Sequence, residues 1–252
     1  MDTRTNDSIE TQSNLKLAVR CIGLTKTYGE GEDQVHALRG VDLEIYTGEL
    51  LMLVGPSGCG KTTLISVIAG ILERSGGECT ILGEDYQKMQ PEYLANWRGR
   101  HVGFVFQQFN LLPTLTAAEN VAVPLLIRDK PRDEALKRAI RMLERVGLGN
   151  KVNTLPKNLS GGQQQRVAIA RAIINRPSSP SLLVCDEPTS ALDAEAGQNI
   201  MRLLRKIAFD ARRALVVVTH DSRIFKYADR IAYLSDGRVD KIVKYNELLP
   251  TN

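Results

Sequence analysis

The sequence predicts an α/β fold: a mostly parallel sheet with helices on both faces. Two patterns carry that prediction. Short, strongly apolar runs recur at residues 49–54, 182–185, 214–219 and 230–234, without the polar alternation of a strand that keeps one wet face. Helical stretches separate these runs, and strand–helix alternation marks a sheet covered on both sides.

Residues 1–17 are polar and mixed in charge, with no apolar signal region, and read as a disordered tail ahead of a domain at 18–252. Residues 17–24 and 40–45 alternate or are rich in β-branched side chains, which predicts strands of an N-terminal antiparallel β subdomain. The buried-type strand at 49–54 leads through a glycine-rich loop into a helix at 61–72. Leu64, Ile65, Val67, Ile68, Ile71 and Leu72 make that helix apolar nearly all round, so it belongs inside. An amphipathic helix is expected at 131–146, with Leu136, Ala139, Ile140, Leu143 and Val146 on one face. The α/β core is expected at 18–87 and 166–252, and a helical subdomain is inserted at 88–165. The Pro-Ser-Ser-Pro-Ser segment at 177–181 is expected as a surface loop.

With 252 residues, 43% hydrophobic and 25% charged, the chain supports a core without staples. Cys21, Cys59, Cys79 and Cys185 form no CxxC pair, which argues against a zinc site or disulfide framework and fits a reducing cytoplasm. The net charge of +4 is small and the basic residues are not blocked together, so nucleic acid is not an expected partner. No run reaches the roughly 18–20 uncharged apolar residues that cross a bilayer.

Gly55-Pro56-Ser57-Gly58-Cys59-Gly60-Lys61-Thr62 fits GxxxxGK[ST]. The glycines let backbone N–H groups curl round a phosphate, and the helix that follows adds its positive end. Lys61 is placed to reach the β- and γ-phosphates, the Thr62 hydroxyl to ligate Mg²⁺, and Thr63 continues the cradle. Cys59 lends its backbone, and its thiol is expected to make the loop sensitive to alkylation. The bland alternative is a glycine turn. A chance match arises in roughly one chain in a hundred of this length, and here it lies between a strand and a helix, as the motif requires.

Asp186 and Glu187 end the apolar strand at 182–185. Ligands gather at the carboxyl ends of strands in such sheets, which suits Asp186 to Mg²⁺ and Glu187 to an attacking water. A solvated acidic turn before Pro188 is the alternative, and a neighbouring phosphate loop weakens it. Leu159-Ser160-Gly161-Gly162-Gln163 opens a helical run at 164–174; by composition it is a chance match in about one chain in several thousand.

At this point the chain resembles the nucleotide-binding subunits of the ABC transporter family over nearly its whole length. The resemblance implies a P-loop NTPase core of ABC type that hydrolyses ATP with Mg²⁺. In that family the LSGGQ segment caps the nucleotide held by a partner subunit, so Ser160, Gly161, Gly162 and Gln163 imply a head-to-tail dimer with a second copy or a homologous motor. The resemblance further makes Tyr28 the aromatic that stacks on adenine. Gln107, which follows the aromatic more closely than Gln108, becomes the glutamine that senses Mg²⁺ or water. Asp193 in Ser190-Ala191-Leu192-Asp193 belongs to the interface loop, and His220 is the histidine that contacts the γ-phosphate. Lys61, Gln107, Glu187 and His220 are the catalytic set it implies. His36 and His101 carry no motif and are expected at the surface.

Residues 106–121, Phe-Gln-Gln-Phe-Asn-Leu-Leu-Pro-Thr-Leu-Thr and on to Glu119-Asn120-Val121, look like the ATPases that serve lipoprotein release, macrolide export and cell-division complexes. That branch implies an integral-membrane permease as partner and a place on the cytoplasmic face of the inner membrane, with no direct contact to the transported substrate. Phe109, Leu111 and Leu112 are expected to line the docking groove, although core packing would use them equally well. An ATPase that regulates a membrane partner without transport, and a soluble ABC ATPase, remain as alternative readings.

Overall fold

The computed structural model describes residues 16–175, 181–208 and 213–248. Most of the expected tail and of the expected 177–181 loop lie outside these residues.

Three strands, β1 (Leu17–Tyr28), β2 (Val35–Tyr46) and β4 (Gly76–Ile81), form an antiparallel sheet in the order β2-β1-β4. The second sheet has six strands. Its order is β5-β6-β7-β3-β8-β9, from β3 (Leu50–Val54), β5 (Val102–Val105), β6 (Ser181–Asp186), β7 (Arg213–Val218), β8 (Arg230–Ser235) and β9 (Arg238–Lys244). All neighbours in it are parallel except the β8–β9 hairpin.

Alternate side chains of the central strands enter two separate cores. Leu50 and Met52 of β3, Leu183 and Cys185 of β6, and Leu215 and Val217 of β7 face one. Leu51, Leu53, Leu182, Val184, Ala214 and Val216 face the other. Burial on both faces is why these strands read as unbroken apolar runs. The first core is closed by α3 (Ala117–Leu126), α4 (Arg132–Arg145), α5 (Gly161–Ile173) and α6 (Ala194–Ala208). The second is closed by the antiparallel sheet and by α1 (Lys61–Ile68).

Element limits differ from the sequence reading in physical detail. Helix α1 stops at Ile68, because Gly70 turns the chain at φ +68°, a left-handed helix ending. Ile71 is thereby left 44% exposed. On α4 the buried residues are Ala135, Ala139, Met142 and Leu143, whereas Ile140 is 36% exposed. Inside the segment read as helical, α2 (Pro91–His101) hands directly to β5, an edge strand of the large sheet. Helix α5 starts at Gly161, three residues before the expected run, because Ser160 and Gln163 form a capping box that offsets two glycines in the first turn. Among the described residues no helix is long and apolar enough to cross a membrane.

Candidate nucleotide site

The loop from β3 to α1 is held from within. Lys61 is buried, and its Nζ donates to the carbonyls of Gly55 (2.9 Å) and Pro56 (2.7 Å). Gly58 and Gly60 lie at φ +79° and +100°, where glycine goes without strain. Gly60 also has no room for a side chain: a Cβ there would stand 2.4 Å from the Ala37 carbonyl oxygen of β2. Residues 55–58 and 60–63 line a cavity of about 590 Å³, completed by Ala37, Gln107, Glu187 and His220. The first turn of α1, whose N–H groups have no helical partners, forms part of its wall.

Asp186 ends β6, and its Oδ2 accepts a hydrogen bond from the Thr62 hydroxyl at 3.1 Å. Burial pushes the Asp186 carboxyl above the usual carboxylate range; the Thr62 bond opposes this, Glu187 adds to it and Lys61 counters. A hydroxyl beside a desolvated carboxylate is a hard-oxygen pair suited to Mg²⁺, which commonly takes one or two protein oxygens and completes its shell with phosphates and water. Among the described residues no group of three or more His, Cys, Asp or Glu side chains could hold a metal. An ion held here would therefore draw its remaining ligands from a bound nucleotide and water.

Glu187 sits at φ +43°, uncommon for a residue with a side chain, and its N–H is pinned to the Val218 carbonyl (3.0 Å). Its carboxylate lies between two groups. Gln107 Nε2 donates to Oε2 at 3.4 Å, and His220 Nδ1 pairs with Oε1 at 2.9 Å. Phosphate loop, acidic strand end, Gln107 and His220 thus meet around one cavity.

The remaining expected residues stand apart from it. Ser160 Oγ accepts from the Gln163 N–H (3.4 Å), and Gln163 Oε1 accepts from the Ser160 N–H (3.1 Å). Asp193 caps the start of α6 by accepting from the Ala196 N–H at 2.8 Å. Ser160, Gly162, Gln163 and Asp193 share the wall of a separate cavity of about 320 Å³. Tyr28 ends β1, 40% exposed, with Lys26 Nζ 5.1 Å from its ring centre.

Some expectations need correction. Cys59 is 6% exposed and packed in the apolar core under the loop, so its thiol is screened from alkylating reagents. His36 is exposed, but His101 is half-buried with its ring 5.2 Å from that of Trp97. Leu112 lines a groove of about 410 Å³ with Phe104, Phe106, Val123, Pro124 and Arg171. Phe109 and Leu111 instead pack, partly buried, on the helical core. Sequence reasoning missed Ala37, which acts through a backbone oxygen that no side-chain pattern marks.

Known proteins resemble this chain over most of its length. A family model described as ABC transporter matches residues 38–190. The lipoprotein-releasing system ATP-binding protein LolD of Pseudomonas fluorescens is 42% identical over 89% of this chain and 97% of its own length. The macrolide export ATP-binding/permease protein MacB of Aggregatibacter actinomycetemcomitans is 41% identical over 86% of this chain, which spans 33% of that protein. Among solved structures, the ATP-binding cassette MJ0796, in a dimeric post-hydrolysis state bound to ADP and Pi, gives a TM-score of 0.81 at 41% identity over 90% of this chain and 98% of that one. MJ0796 comes from Methanocaldococcus jannaschii. With phosphate loop, acidic strand end and signature segment on one such fold, the chain belongs to the ABC transporter family as one of its ATP-binding, ATP-hydrolysing subunits.

Proposed function

We propose that this chain is the motor of a transporter of the lipoprotein-release or macrolide-export type, working as a head-to-tail pair on a separate permease. The observation that carries the pairing is the separation of two anion-binding features. Ser160 and Gly162 line a different cavity from the phosphate loop, although both sit where a helix N-terminus favours an anion. Two copies facing each other bring one feature of each kind to each ATP. The names of the LolD and MacB relatives support the export branch.

In this reading Lys61 and the first turn of α1 hold the phosphates, and Thr62 and Asp186 hold Mg²⁺, with Gln107 at its edge. Bound Mg²⁺ supplies charge neutralisation on the phosphates. Glu187 accepts the proton of the attacking water while His220 fixes the carboxylate's orientation. Tyr28 stacks on adenine, and Asp193 shapes the contact between the copies. The permease sits in the groove of Phe104, Phe106 and Leu112, with the motor on the cytoplasmic face of the inner membrane.

Glu187→Gln tests this, since it keeps the side chain's shape and removes the base. Turnover should fall by about 10²–10⁴-fold, and ATP should trap a dimer that crosslinks, in native membranes, to a permease with a large extracytoplasmic domain. Near-normal turnover would remove Glu187 from the base role. A trapped dimer with an importer-type permease would overturn the branch, and a monomer at saturating ATP would overturn the pairing.

A further inference from the structure

Gln107 reaches Glu187 from the head of an irregular segment that joins β5 to α3. That segment is gripped at two points. Asn120, fully buried on α3, donates to the carbonyls of Leu112, Leu115 and Thr116 and accepts from the Leu112 N–H, all within 2.8–3.1 Å. The other grip comes from α5. Arg171 Nη1 donates to the Asn110 carbonyl at 2.7 Å, and Nη2 to the Phe109 carbonyl at 3.0 Å. Asn110 stands at φ +49°, a left-handed turn that brings successive carbonyls to one guanidinium. The Phe109 ring meets the other end of the same helix: a Cβ on Gly161 would lie 3.8 Å from Phe109 Cζ.

We infer that Arg171 is a positioning residue for ATP hydrolysis, fastening the segment that carries Gln107 to the helix that Ser160 caps. Only Gln108 separates Gln107 from the clamped carbonyl of Phe109. The Gln107–Glu187 bond is already long at 3.4 Å, so a displacement of a few tenths of an ångström breaks it. A planar fork satisfies both carbonyls at once, whereas a lysine reaches them as a single point donor. Any motion of the signature segment is thereby passed along α5 to the side chain beside Glu187. The link itself lies within one chain. Its reach to a partner's nucleotide rests on the proposed pairing.

The test is a double-mutant cycle in ATP turnover by the full chain, combining Arg171→Met with Gln107→Ala. Arg171→Met is expected to lower kcat about tenfold. It should leave the ATP KM and nucleotide Kd within about twofold, because the phosphate loop is untouched. Added to Gln107→Ala, it should lower kcat no further, and Arg171→Lys should recover part of the rate. Multiplying losses in the double variant, a wild-type kcat in Arg171→Met, or a loss of ATP binding alongside kcat would each overturn the inference. If Arg171→Met does not fold, Arg171→Lys enters the same cycle in its place. The pairing is judged apart from this, by the ATP-trapped dimer of Glu187→Gln.

Discussion

Gly60→Ala compared with Gly58→Ala separates what the phosphate loop demands of its own backbone from what its neighbours demand. Both glycines lie at positive φ, +100° and +79°, where adding a Cβ costs about 1–2 kcal/mol. Nothing lies within 4 Å of a Cβ placed on Gly58, so for that variant the backbone term is the whole cost. A Cβ on Gly60 would stand 2.4 Å from the Ala37 oxygen and 3.2 Å from Leu38 Cδ2, the first about 1 Å inside comfortable contact. Ala37 is the extra residue at a register shift of the β1–β2 ladder, but its neighbours His36 and Leu38 are paired with Thr27 and Lys26 of β1 and restrain its retreat. The loop must give instead, which adds about 1–3 kcal/mol. Gly60→Ala should therefore cost about 2–5 kcal/mol in all, against about 1–2 for Gly58→Ala. A loop that keeps its form spends this as lost stability; one that relaxes gives up affinity, at about 1.4 kcal/mol per tenfold in Kd. The sum of the two is the quantity to compare, from chemical denaturation of nucleotide-free protein and calorimetric titration with ATP. Equal sums for the two variants would refute the overlap with Ala37 and the backing role assigned to β2.

Two further outcomes follow from buried charge. Arg74 grips Asp85 through two bonds of 2.9 Å between nearly buried side chains, and Arg74→Ala should cost roughly 2–3 kcal/mol in urea at neutral pH. The Arg74 hydrogen bonds hold the Asp85 carboxyl below the usual range. This stabilisation is therefore complete above the unfolded pKa of about 4 and fades as pH falls through the lower folded value; a gap between wild type and variant that ignores acid would refute the assignment. Asp186→Asn removes a carboxylate that burial disfavours, so nucleotide-free protein should be at least as stable as wild type, while the thermal stabilisation added by Mg²⁺ to ATP disappears. A variant still stabilised by Mg²⁺ would exclude Asp186 as a ligand.

What could be read from the sequence was chemistry carried by contiguous residues. The loop at 55–62, the acidic end of β6 and the signature at 159–163 are each contiguous strings. The first two point by their residue types to phosphate and Mg²⁺, and the third carries the family resemblance that implies a second anion site. Burial faces were less legible. Periodicity puts Ile140 on the inner face of α4 beside Ala139, Leu143 and Val146; those three are buried, whereas Ile140 is exposed and Ala135, outside the expected set, is buried. β5 was invisible because four residues carry too little pattern to separate a strand from the end of α2. Ala37 and Arg171 were missed for a shared reason: each acts on, or through, a backbone carbonyl brought near only by the fold.

The site divides into a stiff half and a half that can move, and the division follows from how each is attached. Ladder hydrogen bonds continue past the strand ends: Thr219 N–H to the Leu53 carbonyl (3.1 Å) and Glu187 N–H to the Val218 carbonyl (3.0 Å). These tie the approach to the phosphate loop, Glu187 and the residue before His220 into a sheet buried on both faces, which resists deformation. Gln107 enters from the edge strand β5 and the segment clamped to α3 and α5, and it meets the stiff half through one bond of 3.4 Å. Its partner carboxylate is meanwhile held by His220 at 2.9 Å. Loss of the longer contact therefore leaves Glu187 oriented and removes only Gln107 from the cavity. With Glu187 in its proposed role as base, a displacement arriving through the helices would withdraw Gln107 while His220 keeps the carboxylate oriented, and the doubly buried sheet resists the same displacement.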